Sequence, residues 1–137
     1  MPRIRRILET ALYCDAPDVT ASFYRTLLGT EPLLETERLV ALDAGEGTVL
    51  LLFRLGASIA SLPTPGGVVP GHHGEGPTHL AFAIDADQAD AWRSRLYELD
   101  IELESDVTWP RGGRSLYFRD PDGRSVELAT PGLWATY

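Results

Sequence analysis

The sequence predicts an α+β fold in which two similar βαβββ modules make up one small domain. Three observations support this prediction: an ordinary globular composition over 137 residues, the same order of predicted elements in both halves, and a Gly- and Pro-rich stretch between them. A chain of this size buries roughly two-thirds of the surface that its unfolded form exposes. Its core is therefore large enough to hold the fold together without a structural metal or a disulfide.

The first half begins with an apolar run over residues 7–14, which predicts a strand. A helix should follow, because Asp15 is a candidate N-cap, Pro17 suits a first helical turn and Gly29 suits a C-cap. The apolar residues at helical spacing, expected to face the core, are Val19, Phe23 and Leu27, with Tyr24 and Leu28 beside them. Three short strands are predicted next, over residues 33–35, 38–43 and 48–54.

The second half repeats this order of elements. The predicted segments are a strand over residues 78–84, a helix over 87–99, an extended stretch over 101–109, and strands over 114–119 and 125–129. The last two strands are joined by Asp120-Pro121-Asp122-Gly123, which is a strong turn signal. The predicted boundaries are a first module over 1–55, a connector over 56–77 that lacks periodicity, and a second module with the C-terminal tail over 78–137.

Charge and cysteine content exclude several classes of partner and site. The net charge is −8, with 12 Lys+Arg against 20 Asp+Glu, so no basic surface for nucleic acid is expected. The single cysteine, Cys14, excludes an internal disulfide and a multi-cysteine zinc site, and is expected to be a buried core thiol. No apolar stretch is long enough to span a membrane. We expect a cytoplasmic protein that binds a small molecule.

Three ionisable residues are predicted to project from one kind of sheet face. Side chains alternate along a strand, which places Glu9, His79 and Glu127 opposite the helix-facing residues and next to small ones. Overlaying the halves makes Glu9 equivalent to His79, and Leu51 equivalent to Glu127. One imidazole and two carboxylates suit a divalent cation, with Zn, Mn, Ni and Fe all chemically suitable, and three ligands leave positions open for substrate.

Three segments of the sequence carry a resemblance to a known family: 21–29 (ASFYRTLLG), 78–82 (THLAF) and 117–128 (YFRDPDGRSVEL). With them the chain resembles the glyoxalase/bleomycin-resistance/dioxygenase superfamily, also called vicinal oxygen chelate proteins. The resemblance implies paired βαβββ modules whose mixed sheet forms an open cup around a metal or ligand. It also implies a homodimer in which the cup is often shared between chains. His79 and Glu127 match ligand positions of the family, whereas Glu9 stands where many members have His.

The resemblance implies a metal-dependent enzyme with lyase, isomerase, transferase or dioxygenase chemistry on a small molecule with vicinal oxygens. Glyoxalase I enzymes carry a Glu at the position of Leu51, which disfavours that activity. Extradiol dioxygenases have a site of two His and one carboxylate, whereas Glu9 would give this chain one His and two carboxylates. Fosfomycin-resistance thiol transferases share a Tyr at the position of Tyr117 but have a Thr at that of Ala11. The alternative function is a bleomycin-resistance-like protein that sequesters an antibiotic or another small molecule without turnover.

Within this reading, Glu127 and Tyr117 are the candidate catalytic residues. The candidate substrate-binding residues are Tyr13, Leu51, Trp109, Arg114 and Tyr117. His72 and His73 lie in the Gly-rich connector and are expected to be solvated.

Overall fold

The computed structural model describes residues 1–137, which form two helices and ten strands. The chain divides into two compact units, Met1–Gly76 and Pro77–Tyr137. Each unit contains one βαβββ module, so the predicted α+β class with two such modules is confirmed. No helix is both long enough and apolar enough to cross a membrane.

The first module is a four-stranded mixed sheet with one helix against it. Its elements are β1 (Glu9–Cys14), α1 (Pro17–Leu28), β2 (Pro32–Glu35), β3 (Leu39–Asp43) and β4 (Val49–Arg54). The strand order is β1-β4-β3-β2, with β1 parallel to β4 and the other pairs antiparallel. The sheet is open, because β1 and β2 are edge strands that do not pair with each other.

The helix α1 buries only part of the face that was predicted for it. Thr20, Ala21, Tyr24 and Leu27 are buried, whereas Val19 is 53% exposed. The small side chains of Thr20 and Ala21 lie on the buried side of the helix, whereas Val19 faces solvent.

The two ends of α1 also differ in how well they were predicted. The predicted N-cap Asp15 is wrong: Ala16 is the N-cap and makes no side-chain cap. Pro17 at the first helical position has no N–H that needs one. The predicted C-cap is confirmed, since Gly29 is left-handed with φ 64°.

The connector contains structure that the sequence did not predict. Strands β5 (Leu62–Thr64) and β6 (Gly67–Val69) form a short hairpin in the first unit. Two hydrogen bonds close the loop beneath it: the His72 N–H donates to the Ser58 carbonyl at 2.8 Å, and Ser58 Oγ donates to the His72 carbonyl at 2.7 Å. Ser58 is completely buried. Strands of three residues are too short to show a periodicity, which explains why this hairpin was missed.

The second module repeats the topology of the first. Its elements are β7 (His79–Ala83), α2 (Ala89–Glu98), β8 (Ser105–Thr108), β9 (Arg114–Arg119) and β10 (Ser125–Ala129). The strand order is β7-β10-β9-β8, again with one parallel pair, β7 with β10. The extended stretch predicted over residues 101–109 is a strand only over Ser105–Thr108.

The strand registers agree with the overlay of the two halves. In the first module Ala11 pairs with Leu51, and in the second Ala81 pairs with Glu127. Leu51 and Glu127 therefore occupy equivalent positions in their sheets. Cys14 is completely buried, which confirms its predicted place in the core.

The predicted turn between β9 and β10 is confirmed. Asp120 Oδ1 accepts hydrogen bonds from the N–H groups of Asp122 and Arg124, at 3.0 and 2.9 Å. The Arg124 guanidinium, itself buried, forms an ion pair with Asp120 at 2.9 Å. These acidic residues therefore hold the turn.

Candidate metal centre

Glu127 lies in the middle of β10, between β7 and β9. Its neighbours Val126 and Leu128 point into the apolar core, so alternation turns the Glu127 carboxylate to the opposite face of the sheet. The carboxylate is nevertheless only 7% exposed. A buried carboxylate needs partners that compensate for its lost hydration.

Hydroxyl groups on the neighbouring strand supply part of that compensation. The Glu127 Oε1 atom accepts hydrogen bonds from Ser115 Oγ at 2.5 Å and from Tyr117 Oη at 3.1 Å. Ser115 accepts in turn from the indole N–H of Trp109 at 2.8 Å. Both hydroxyl groups come from β9, which pairs Tyr117 directly with Glu127.

The other carboxylate oxygen faces a histidine. His79 Nε2 lies 3.1 Å from Glu127 Oε2, while His79 Nδ1 lies 3.0 Å from the Ser125 carbonyl oxygen. The His79 ring stacks on that of Tyr117, with ring centroids 6.3 Å apart. The imidazole is 52% exposed, so this side of the pair opens to solvent. The structure thus brings together two of the three predicted metal ligands.

The hydrogen-bonding chemistry of His79 makes its approach to Glu127 informative. A carbonyl oxygen only accepts, so Nδ1 must carry the proton that it shares with Ser125. In the neutral imidazole Nε2 then presents a lone pair to Glu127 Oε2, which is also an acceptor. These two atoms attract each other only when a positive charge, a proton or a cation, lies between them.

Tyr117 remains a hydroxyl donor beside this pair. Burial raises the pKa of Tyr117 above its usual value, and the hydrogen bond to Glu127 together with the carboxylate charge raises it further. The contact with Ser115 lowers the pKa by less. At neutral pH Tyr117 is therefore a phenol that donates, not a phenolate.

The third predicted ligand, Glu9, lies at the start of β1 in the first module and is exposed. No group of three or more His, Cys, Asp or Glu side chains in the structure is arranged to hold one metal ion. Glu9 therefore stays a prediction as a ligand. The other two predicted ligands, His79 and Glu127, both belong to the second module.

The substrate-binding candidates of the first module lie on β1 and β4. Tyr13 Oη is 2.7 Å from His72 Nδ1, and the Tyr13 ring lies 6.2 Å from that of Phe53. His72 is half-buried by these contacts, so its predicted solvation is wrong, whereas His73 is exposed as predicted. Leu51 is half-buried, two residues before Phe53 on the same face.

Arg114 and Trp109 belong to the second module and are both engaged within it. The Arg114 guanidinium bonds Asp106 at 2.8 and 2.7 Å and Asp90 at 2.7 Å. These hydrogen bonds, first with Asp106, raise the pKa of Arg114. An anionic ligand at Arg114 would have to compete with both carboxylates. The indole N–H of Trp109, the only donor of its side chain, is engaged with Ser115.

Sequence reasoning did not single out Ser115, and it missed the role of His72. Ser115 was detectable, because strand alternation places it on the face of Tyr117, two residues away. The role of His72 was not detectable, since its contact with Tyr13 joins residues 59 apart in the sequence.

Comparison with known proteins places this chain in a family. Residues 6–128 match the Glyoxalase/Bleomycin resistance protein/Dioxygenase superfamily. The metallothiol transferase FosB of Staphylococcus haemolyticus (strain JCSC1435) is 30% identical over 112 residues, which cover 81% of this chain and 73% of that protein. FosB of Shouchella clausii is 43% identical over 58 residues, 41% of this chain and only 40% of that protein.

A solved structure resembles nearly the whole chain. The lactoylglutathione lyase of Agrobacterium tumefaciens is 35% identical, with a TM-score of 0.87, over 98% of this chain and 99% of that one. A glyoxalase/bleomycin resistance protein/dioxygenase from Nocardioides, at 21% identity and a TM-score of 0.71, shares the fold over 98% of this chain and 93% of its own. The chain belongs to the Glyoxalase/Bleomycin resistance protein/Dioxygenase superfamily.

Proposed function

We propose that this chain is an enzyme that uses a divalent metal and acts on a small molecule with two adjacent oxygen atoms. The observation that carries the proposal is the pairing of His79 Nε2 with Glu127 Oε2, an imidazole nitrogen and a carboxylate oxygen 3.1 Å apart. Because Nδ1 is committed to the Ser125 carbonyl, a cation between Nε2 and Oε2 would satisfy both atoms.

The donor set fits a metal ion. The His79 nitrogen and the Glu127 oxygen are 3.1 Å apart, so both atoms could bind one divalent ion. Imidazole nitrogen and carboxylate oxygen together suit Zn, Mn, Ni or Fe.

The proposal assigns one role to each residue. His79 and Glu127 hold the ion, and Glu9 is the third ligand, from the strand position that the family uses. When bound, the ion supplies Lewis-acid chemistry, by withdrawing electron density from a substrate oxygen. Tyr117, protonated at neutral pH, would redirect its one hydroxyl proton from Glu127 to the reacting end of the bound substrate, while Ser115 keeps its hydrogen bond to Glu127.

The named relatives favour group transfer from a thiol as the reaction. FosB is described as a metallothiol transferase, and one such protein aligns with 81% of this chain. In such a transfer to an epoxide, the sulfur bonds to carbon, the carbon–oxygen bond breaks and the thiol proton ends on the released oxygen. Leu51 replaces the Glu of glyoxalase I, so the proposal does not extend to that isomerisation despite the lyase-like fold.

The proposal also covers the binding surface and the assembly. The residues proposed to contact substrate are Tyr13, Leu51, Trp109, Arg114 and Tyr117. The proposed partners are this small molecule and a second copy of the chain in a homodimer, as in other members of the superfamily.

Metal analysis tests the first step. The chain purified without a chelator should carry close to one divalent ion per protomer, measured by elemental analysis and by Mn²⁺ titration. His79→Ala and Glu127→Gln should weaken Mn²⁺ binding by more than about 100-fold, as removal of a direct ligand should exceed the 10- to 100-fold effect of an outer partner. His73→Ala is the matched control, because His73 is exposed in the connector. A wild-type chain that binds no divalent ion rules out the proposal.

Turnover separates the enzyme from a sequestering protein. The metal-loaded chain should consume a small thiol in the presence of a small carboxylic acid that carries an epoxide. The loss of free thiol measures this reaction, and EDTA should abolish it. Ligand binding that survives EDTA without any turnover would favour the antibiotic-sequestering function.

A further inference from the structure

A chain of hydrogen bonds runs from an indole to the oxygen of Glu127 that faces away from His79. The Trp109 Nε1–H donates to Ser115 Oγ at 2.8 Å, and Ser115 Oγ lies 2.5 Å from Glu127 Oε1. An indole nitrogen only donates, so Ser115 must accept from it. The single hydroxyl proton of Ser115 is then donated to Glu127 Oε1, the carboxylate oxygen 2.5 Å away, so both bonds run in one direction.

The two oxygens of the Glu127 carboxylate have different hydrogen-bond partners. Oε1 accepts two hydrogen bonds, one from the hydroxyl of Ser115 and one from that of Tyr117. Oε2 faces the exposed imidazole of His79. Rotation of the carboxylate away from this orientation would break the short bond to Ser115.

We infer that Trp109 and Ser115 are positioning residues that hold Glu127 so that it binds the cation through Oε2 alone. The inference rests on the proposed function, since it concerns how the proposed ligand is presented. Neither residue would touch the ion or the reacting atoms. They act through the carboxylate that they orient.

The surroundings of both residues fit such a role. Ser115 is completely buried in β9, where an alanine would pack without any need for a partner. The backbone of Trp109 is held in a tight turn, in which its N–H donates to the Gly113 carbonyl at 2.7 Å and its carbonyl accepts from Gly112 at 2.9 Å. These backbone hydrogen bonds hold the residue whose indole starts the series of hydrogen bonds to Glu127.

A carboxylate held in this way should prefer small ions. Large Ca²⁺ ions often take both oxygens of one carboxylate, whereas Zn²⁺ and similar ions are satisfied by one. With Oε1 occupied by two hydroxyl groups, Glu127 cannot offer both oxygens without losing them. We expect the wild-type chain to bind Co²⁺ or Mn²⁺ far more tightly than Ca²⁺.

The experiment measures Co²⁺ and Ca²⁺ binding to the full chain after removal of bound metal. Trp109→Phe keeps an aromatic ring but removes the donor, and Ser115→Ala removes the link. Trp92→Phe and Ser94→Ala in α2 are the matched controls. We expect Trp109→Phe and Ser115→Ala to weaken Co²⁺ affinity about 10- to 100-fold, the range found for outer partners of metal ligands. Both controls should bind as the wild type does.

Two further readouts separate positioning from damage to the fold. The visible absorption of bound Co²⁺ should lose intensity in Trp109→Phe, because a carboxylate free to bind through both oxygens raises the coordination number. The unfolding midpoint of the metal-free Trp109→Phe variant, in contrast, should stay close to that of Trp92→Phe. If Ser115→Ala fails to fold, Trp109→Phe alone decides.

Two results would overturn the inference, and they differ from each other. Wild-type Co²⁺ affinity and spectrum in Trp109→Phe would overturn the positioning role and leave the proposed metal site intact. A wild-type chain that binds no Co²⁺ would overturn the metal site and the positioning role together.

Discussion

Tyr13 shows how much one hydrogen bond between distant residues contributes to this fold. Its hydroxyl contacts His72 at 2.7 Å, and so ties the end of the connector to β1. We expect Tyr13→Phe to lower the free energy of unfolding by about 1 kcal/mol, the usual net value of such a bond. Urea unfolding followed by circular dichroism measures the change.

Tyr97→Phe provides the control for this substitution, because Tyr97 is 87% exposed. The same loss of a hydroxyl should change the free energy of unfolding there by less than about 0.5 kcal/mol. Equal changes in the two variants would show that the contact between Tyr13 and His72 does not stabilise the protein.

Single residues also mark how far the sequence could predict the candidate site. Strand alternation predicted that His79 and Glu127 share a face, and the structure has them 3.1 Å apart. Alternation says which face a side chain takes, but it gives no hydrogen bonds. The link through Ser115 to Trp109 depends on how the loop before β9 folds back, and no local pattern encodes that.

The elements of the second module are joined by a cluster of charges around Asp106. This residue of β8 accepts two hydrogen bonds from Arg114 of β9, at 2.8 and 2.7 Å, and one from Arg93 of α2 at 3.1 Å. The Arg114 hydrogen bonds lower the pKa of Asp106 below its usual value, against a smaller opposite effect of burial. One side chain thus connects two strands and a helix.

The sign of the pH dependence follows from that shift. A carboxyl group whose pKa is lower in the folded state stabilises the protein above its unfolded pKa of about 3.9, and loses this effect as the pH falls through the folded value. We expect Asp106→Asn to lower the free energy of unfolding by about 1 kcal/mol at pH 7. Its difference from wild type should shrink as the pH falls below about 4.

Denaturant unfolding at a series of pH values checks this prediction. Asp15→Asn is the control, because Asp15 is exposed in the turn before α1. The idea fails if the two variants differ from wild type by the same amount at every pH. A difference that is equally large at pH 7 and at pH 2 would point to packing of the side chain instead of its charge.

Elements were predicted well where the chain gives a local signal. The bounds of β9 and β10 agree with the prediction, since a strong turn and clear alternation define them. The buried face of α1 was predicted correctly at Tyr24 and Leu27 but not at Val19, because those two residues can share a face with either Val19 or Thr20. Only the fit against the sheet decides between them, and that fit depends on residues far along the chain.

At the scale of the whole molecule, one topology occurs twice but carries the candidate chemistry once. Leu51 has the position of Glu127, and its antiparallel partner Ala41 has that of Tyr117. By the same registers Leu39 stands where the second module has Ser115. The first module therefore has neither the carboxylate nor the two hydroxyl groups that would stabilise one. The overlay of the halves could predict this asymmetry because the modules keep the same registers.

Placing a carboxylate in the first module tests whether those hydroxyl groups are what makes one tolerable. Leu51 is half-buried, and the equivalent positions around it supply Leu39 and Ala41 in place of hydroxyl donors. We expect Leu51→Glu to lower the free energy of unfolding by about 1–3 kcal/mol at pH 7, since a poorly hydrated carboxylate without donors is costly. Chemical denaturation measures this change.

Leu51→Gln separates the charge from the loss of an apolar contact, because the amide has nearly the same shape and cannot ionise. A desolvated carboxyl group has a raised pKa in the folded state. The protein is then more stable below the unfolded pKa of about 4.3, where the group is protonated, and loses this stability as the pH rises through the folded pKa. Leu51→Glu should therefore approach Leu51→Gln in stability near pH 4 and fall below it at pH 7. If the two variants are equally stable at pH 7, the first module tolerates a carboxylate without hydroxyl partners. Ser115 and Tyr117 would then not be what makes Glu127 tolerable in the second module.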